Sequence, residues 1–215
     1  MMVKLICLVI GYCFGLFQTS YIIGRIKHTD IREHGSGNAG TTNALRTFGL
    51  KAGLLTLLGD CLKCVLASLV VRLLFREKYA EIMPLLVMIT STGCILGHNF
   101  PFYLGFRGGK GIAASLGLFL SFDWPLGLFL FGLFLVLFFI THYVSFSALT
   151  AYVVAFFAVI VFGEMGRYGM ARPDRIQMYV LMGALTVLAF YQHRGNIKRL
   201  LQGTEKKTYL KKKNG

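Results

Sequence analysis

Apolar runs approaching the length of a bilayer crossing recur along almost the whole chain, and nothing else in it constrains the fold so strongly. A helix needs roughly 20 apolar residues to span the hydrocarbon. Runs near that length fall at about 3–26, 50–75, 82–103, 109–122, 124–142, 144–163 and 176–192. Continuous apolar stretches of this kind read as membrane helices. The fourth is short for a full crossing and reads as tilted or partly re-entrant. Asp123-Trp124-Pro125 forms a tight turn with an interfacial aromatic, and Gly163 to Asp174 is the loop before the last run. The predicted fold is all-α, a polytopic bundle of about seven transmembrane helices forming a single domain over residues 1–215. A mean hydropathy of +0.63 and the absence of a Pro/Ser-rich linker agree with one apolar body. The first run follows Lys4 as a signal peptide would, but it continues to about Ile26 with no small-residue cleavage site and is expected to be retained.

Charge sets the predicted orientation. An external N-terminus collects fifteen of the 23 Lys and Arg residues on the cytoplasmic side and seven on the other, leaving Lys63 inside a span. The cytoplasmic set is Arg25, Lys27, Arg32, Arg46, Lys51, Arg107, Lys110, Arg194, Lys198, Arg199, Lys206, Lys207 and Lys211–Lys213. The C-terminus is then cytoplasmic. In a soluble protein the net charge of +14 would suggest nucleic acid. Here it marks the cytoplasmic face and the anionic lipid surface, so no nucleic-acid partner is expected. Cys61-Leu-Lys-Cys64 has no second ligand pair, and the five cysteines read as small packing residues. Asp60 and Lys63 stand three apart inside the second run and read as a neutralising pair.

The same alternation brings three glycine-rich, basic stretches to one face. Gly35-Ser36-Gly37-Asn38-Ala39-Gly40 fits G-x-G-x-x-G, but no strand precedes it, which excludes the dinucleotide reading. What remains is a nest of backbone donors with the Ser36 hydroxyl, shaped for phosphate, against the plainer reading of a flexible turn. Thr41, Thr42, Asn43 and Arg46 follow at once, and Arg46 suits a bidentate phosphate contact. Gly108-Gly109-Lys110-Gly111 lacks the first glycine and the Ser/Thr of a nucleotide loop, since positions 104 and 111 are Leu104 and Gly111. A lysine beginning a membrane helix is still an anion site, or else a snorkelling interfacial side chain. His98, in Gly97-His98-Asn99-Phe100-Pro101, is open to proton handling, to phosphate contact or to a structural role. His193 and Asn196 share a helix face, which Arg199 extends.

With these stretches in order, the chain resembles the bacterial acyl-phosphate:glycerol-3-phosphate acyltransferases of the PlsY type. The resemblance rests on residues 32–43, 97–111 and 193–199, with Gly203 and Glu205 beyond. Arg107 and Thr41 depart from the lysine and alanine common in that family, and Tyr143-Val-Ser145-Phe-Ser147 matches a further site element less securely.

The resemblance implies transfer of a fatty acyl group from acyl phosphate to the sn-1 hydroxyl of glycerol 3-phosphate. The products are lysophosphatidic acid (1-acyl-glycerol 3-phosphate) and phosphate, in phospholipid biosynthesis at the cytoplasmic face of a bacterial cell membrane. It further implies a monomer working with the soluble acyl-phosphate synthase PlsX, and neither a cofactor nor a metal. Ser36, Lys110 and His98 are its expected catalytic residues. Gly35, Gly37, Asn38, Thr42, Asn43, Arg46, Gly108, Gly109, Ser145, His193 and Asn196 are its expected substrate-binding residues. The implied mechanism is substrate-assisted, with a phosphate oxygen receiving the hydroxyl proton and His98 as the fallback base. Two rivals fare worse. None of the five histidines has an aspartate five positions on, as an acyl-CoA-dependent enzyme would require. No internal repeat supports a transporter.

Overall fold

The computed structural model describes residues 1–209, and the described residues form helices and loops with no strand. The basic tail residues Lys211–Lys213 lie outside the described residues. Five segments are long and apolar enough to cross a membrane: Met2–Ile26, Leu50–Phe75, Ala80–Leu104, Trp124–Thr141 and Val144–Glu164. Two further predicted spans take other forms. Ile112–Phe122 (α6) is an apolar helix of only 11 residues, and Arg172–Gln192 (α9) has 21 residues but carries Arg172, Asp174 and Arg175 in its first turn.

The first predicted span is two helices, α1 (Met2–Gly15) and α2 (Thr19–Ile26). The break has a polar cause. Gln18 is fully buried, and its side-chain amide serves helix-end carbonyls: Nε2 donates to Gly15 O at 3.2 Å and to His98 O at 2.9 Å. Without it Gly15 O would be a bare carbonyl at the end of α1. A short helix α3 (Thr41–Phe48) then turns at Gly49, whose φ of 88° favours glycine, into the long α4 (Leu50–Phe75). The chain continues through α5 (Met83–Asn99), α6, α7 (Trp124–Thr141), α8 (Val144–Glu164), α9 and α10 (Arg194–Leu201).

Helix α5 is the axis of the bundle. It is buried along nearly its whole length and packs against α1, α4, α6 and α9. Its closest partner is α1, and glycine makes the approach possible. Gly11 and Gly15 of α1 face the backbone of Thr90 and Cys94, while Gly93 and Gly97 of α5 face that of Leu8 and Tyr12. A Cβ at any of these four positions would collide with a facing carbonyl, so the two helices interlock through paired small-xxx-small stripes. On the outside, α4 exposes Leu55, Leu58, Leu62, Leu66, Leu69 and Leu73, a stripe at helical spacing that suits lipid. At the end of α6 far from Lys110, Arg167 grips Asp123 bidentately at 2.6 and 2.8 Å, tying the α6–α7 turn to the α8–α9 loop.

Candidate active site

The three glycine-rich stretches converge on one cavity of about 820 Å³. Leu50, Leu54 and Leu57 of α4 and Phe131, Phe134 and Phe138 of α7 supply its apolar lining. The rest of the lining is largely polar and basic. Ser36, Asn38, Thr42, Asn43, Arg46, His98, Lys110, Ser145, His193 and Asn196 all line it, as does Gly35. Gly37, Gly108 and Gly109 do not, although they were expected among the substrate-binding residues.

Local hydrogen bonding explains both groups. Asn43 is buried, and its amide organises the first loop: Oδ1 accepts from Ser36 N at 3.0 Å, while Nδ2 donates to Ile31 O and His34 O at 3.1 and 2.9 Å. Gly35 has a φ of 61°, and a Cβ there would strike Asn43 Oδ1. Four of the six amides of Gly35–Gly40 are therefore spent within the fold rather than left free. Ser36 N serves Asn43, Gly37 N serves His34 O, Ala39 N serves Gly108 O and Gly40 N serves Asn38 O. The second loop is corrected in the same way. Gly108 N donates to Asn99 O and Gly109 N to His98 O, both at 3.1 Å, which folds the loop back onto the end of α5. A Cβ at Gly108 would meet His98 O, and one at Gly109 would meet His98 Nε2. These glycines permit close packing. Ser36 Oγ has no hydrogen-bond partner among the described residues. Arg32 also has a different task, since it holds Asp30 and reaches Leu104 O at 2.9 Å, binding the first loop to the second.

The cationic side chains meet in a network completed by the C-terminal segment. Lys110 Nζ donates to Asn196 Oδ1. Asn196 Nδ2 donates to Glu205 Oε1 at 2.5 Å, Ser145 Oγ donates to the same oxygen at 3.0 Å, and Arg199 Nε donates to Oε2 at 2.6 Å. Burial alone would raise the Glu205 carboxyl, but these donors hold it below the ordinary value. Arg46 Nη2 donates to Thr208 Oγ1 at 2.6 Å and to Lys206 O at 3.2 Å, so the segment after α10 latches over the cavity. Burial, with the charges of Arg199, Arg194 and Arg46, pushes the Lys110 ammonium down to about 8 against the pull of Glu205. His193, just past α9, is pushed down to about 4 by burial and then by Lys110. Its Nδ1–H donates to Ala189 O at 2.8 Å, which leaves Nε2 bare in the neutral ring. Glu205 is the residue that sequence reasoning quoted but gave no role. Its signal was present: it is the lone acid in the basic stretch from Lys198 to Lys213.

Apolar helices around a buried cationic cavity define a multi-pass membrane protein with an anion-handling site. The chain belongs to the glycerol-3-phosphate acyltransferase family, whose model matches residues 5–203. It is 38% identical over 207 residues to the glycerol-3-phosphate acyltransferase of Alkaliphilus metalliredigens, covering 96% of each chain. It is 40% identical over 210 residues to that of Clostridioides difficile, covering 97% of each. Among solved structures it is similar to PlsY (YgiH), an integral membrane glycerol 3-phosphate acyltransferase. The glycerol 3-phosphate form aligns with a TM-score of 0.82 at 31% identity, and the lysophosphatidic acid form with 0.80 at 30%, each over 96% of both chains.

Proposed function

We propose that this acyltransferase takes its acyl group from acyl phosphate and passes it to the sn-1 hydroxyl of glycerol 3-phosphate. Lysophosphatidic acid and inorganic phosphate are the products. The observation that carries the reading is the pairing, in one cavity, of a cationic lining with an apolar one drawn from α4 and α7. Two phosphorylated substrates call for duplicated anion donors, and a fatty tail calls for an apolar channel. Lys110, Arg46 and Ser36 hold the phosphates, with Asn38, Thr42, Ser145, His193 and Asn196 around them and Gly35 and Gly37 shaping the loop that Asn43 braces.

In the reaction the glycerol hydroxyl oxygen attacks the acyl carbonyl carbon, negative charge gathers on the carbonyl oxygen, and the C–O bond to phosphate breaks. The hydroxyl proton passes to a phosphate oxygen, whose second pKa near 6 makes it a weak base of adequate strength for so good a leaving group. The working form is a monomer of seven spans in a bacterial cell membrane, its site open to the cytoplasm and supplied by the soluble acyl-phosphate synthase PlsX. The test compares donors on purified protein. Acyl phosphate should yield lysophosphatidic acid and acyl-CoA should not; turnover with acyl-CoA alone overturns the assignment.

A further inference from the structure

The pair read from sequence as mutually neutralising, Asp60 and Lys63, does more than cancel charge. Lys63 is buried, and its ammonium has three acceptors for its three N–H groups. It donates to Phe17 O at 2.6 Å, to Asp60 Oδ1 at 2.9 Å and to His98 Nδ1 at 2.8 Å. The first of these exists because the chain breaks between α1 and α2 and leaves the Phe17 carbonyl without a helical partner. Thr19 Oγ1, at the start of α2, donates to Asp60 Oδ1 at 3.1 Å and helps fix the carboxylate.

This arrangement is the reverse of a carboxylate–histidine dyad. A general base of that kind has its Nδ1–H donated to a carboxylate, which leaves Nε2 bare to take a proton. Here the Asp60 carboxylate stands 3.7 Å from His98 Nδ1, beyond hydrogen-bond range, and the Lys63 ammonium occupies that nitrogen. An ammonium can only donate, so Nδ1 must be the acceptor and the neutral ring must carry its proton on Nε2. That edge lies beside Gly109, where an added Cβ would collide with it, and both His98 and Asp60 line the cavity.

We propose that Lys63, held by Asp60, is a positioning residue that locks His98 as the Nε2–H tautomer, so that His98 donates a hydrogen bond to a substrate oxygen. This deepens the acyl-transfer reading and rests on it for the identity of that oxygen: the carbonyl oxygen on which charge develops, or a phosphate oxygen beside it.

The test begins with the full chain in lipid nanodiscs, ¹⁵N-labelled at histidine, without substrate at pH 7. The His98 signals are assigned by their loss in His98→Gln. A bare Nδ1 and a protonated Nε2 are expected; a protonated Nδ1, in either a neutral or a charged ring, overturns the proposal. An Asp60→Asn/Lys63→Met double variant removes both charges together and should release the ring into mixed tautomers. Its kcat should fall by roughly 10²–10³, the loss typical of one oriented donor, with KM for glycerol 3-phosphate little changed. His98→Gln, which keeps an amide N–H near the Nε2 position, should retain more turnover than His98→Ala. Equal loss in the two variants, or a double variant whose tautomer is unchanged, also overturns it. The wild-type spectrum needs neither activity nor a donor, so it stands or falls separately from the acyl-phosphate assignment.

Discussion

Lys110→Ala removes the lysine of the second loop, which is bonded to Asn196 of the third and shares the cavity lining with Ser36 and Arg46 of the first. At a separation of about 4 Å and an effective dielectric of about 20, one unit charge on another is worth roughly 4 kcal/mol. Measured losses of one donor at a developing charge run to about 2–4 kcal/mol, or 10²–10³ in rate. A loss of that size in kcat is expected, with no loss of thermal stability in detergent, because the buried ammonium costs the fold at neutral pH. The pH profile carries a second signature. Lys110 works as an ammonium, so activity is full below its folded pKa of about 8 and lost as pH rises through it. The limb appears in kcat/KM, which reports the free enzyme. Bound phosphate favours the ammonium, so the limb in kcat moves upward. Lys110→Arg keeps the charge at every accessible pH and should abolish the limb. Stability runs the other way: the folded pKa is depressed below the usual 10.5, so this group's contribution improves from about pH 8 to 10.5 as the buried ammonium is relieved. Near-normal turnover by Lys110→Ala at saturating substrate would refute the role assigned to this lysine. So would an alkaline limb that survives in Lys110→Arg.

Ser36→Ala and Arg46→Ala should each reduce kcat/KM at least as much as His98→Gln, because each removes its group outright while glutamine keeps an amide donor near the Nε2 position; a larger loss in His98→Gln would reverse that order. Cysteine-accessibility labelling in a cysteine-free background should find positions near Asn38, Arg107 and Lys206 on the cytoplasmic side and Gly169 outside. Asn38 and Arg107 on opposite faces would break the single-site account. Gly93→Leu should lower the unfolding temperature markedly, since overpacking costs about 1–3 kcal/mol or more where backbone cannot yield and the facing Leu8 carbonyl is backbone. Gly132→Ala, with open space around it, is the control and should show only a small change.

The membrane class was legible because continuous hydropathy is a local property, and the convergence of the three stretches because charge alternation counts loops rather than contacts. The break at Gln18 was not legible. One amide in an apolar run is unremarkable until its partners, Gly15 O and His98 O, are known, and His98 lies 80 residues away. The glycine loops misled for a related reason. Glycine spacing shows that backbone N–H groups can approach something closely, but not what. Here Ala39 meets Gly108 and the second loop meets the end of α5, so several of the amides expected to face an anion are consumed by the fold. Gly11-x-x-x-Gly15 and Gly93-x-x-x-Gly97 went unread in the sequence, because a small-residue stripe acquires meaning only when its partner helix is known. The side-chain chemistry transferred better: Lys110, Arg46, Ser36, His193 and Asn196 reach one cavity from loops that are far apart in sequence.

The central claim is that a carbonyl carbon, activated by phosphate, is attacked by glycerol 3-phosphate in this cavity. It is tested most directly with acyl phosphate bearing ¹⁸O in the bridging oxygen, incubated with purified protein and glycerol 3-phosphate, following both products by mass spectrometry. Attack at carbon predicts one phosphate for each lysophosphatidic acid, with the label kept in the phosphate. Label appearing in the acylated product, or no lysophosphatidic acid without acyl-CoA, would contradict it.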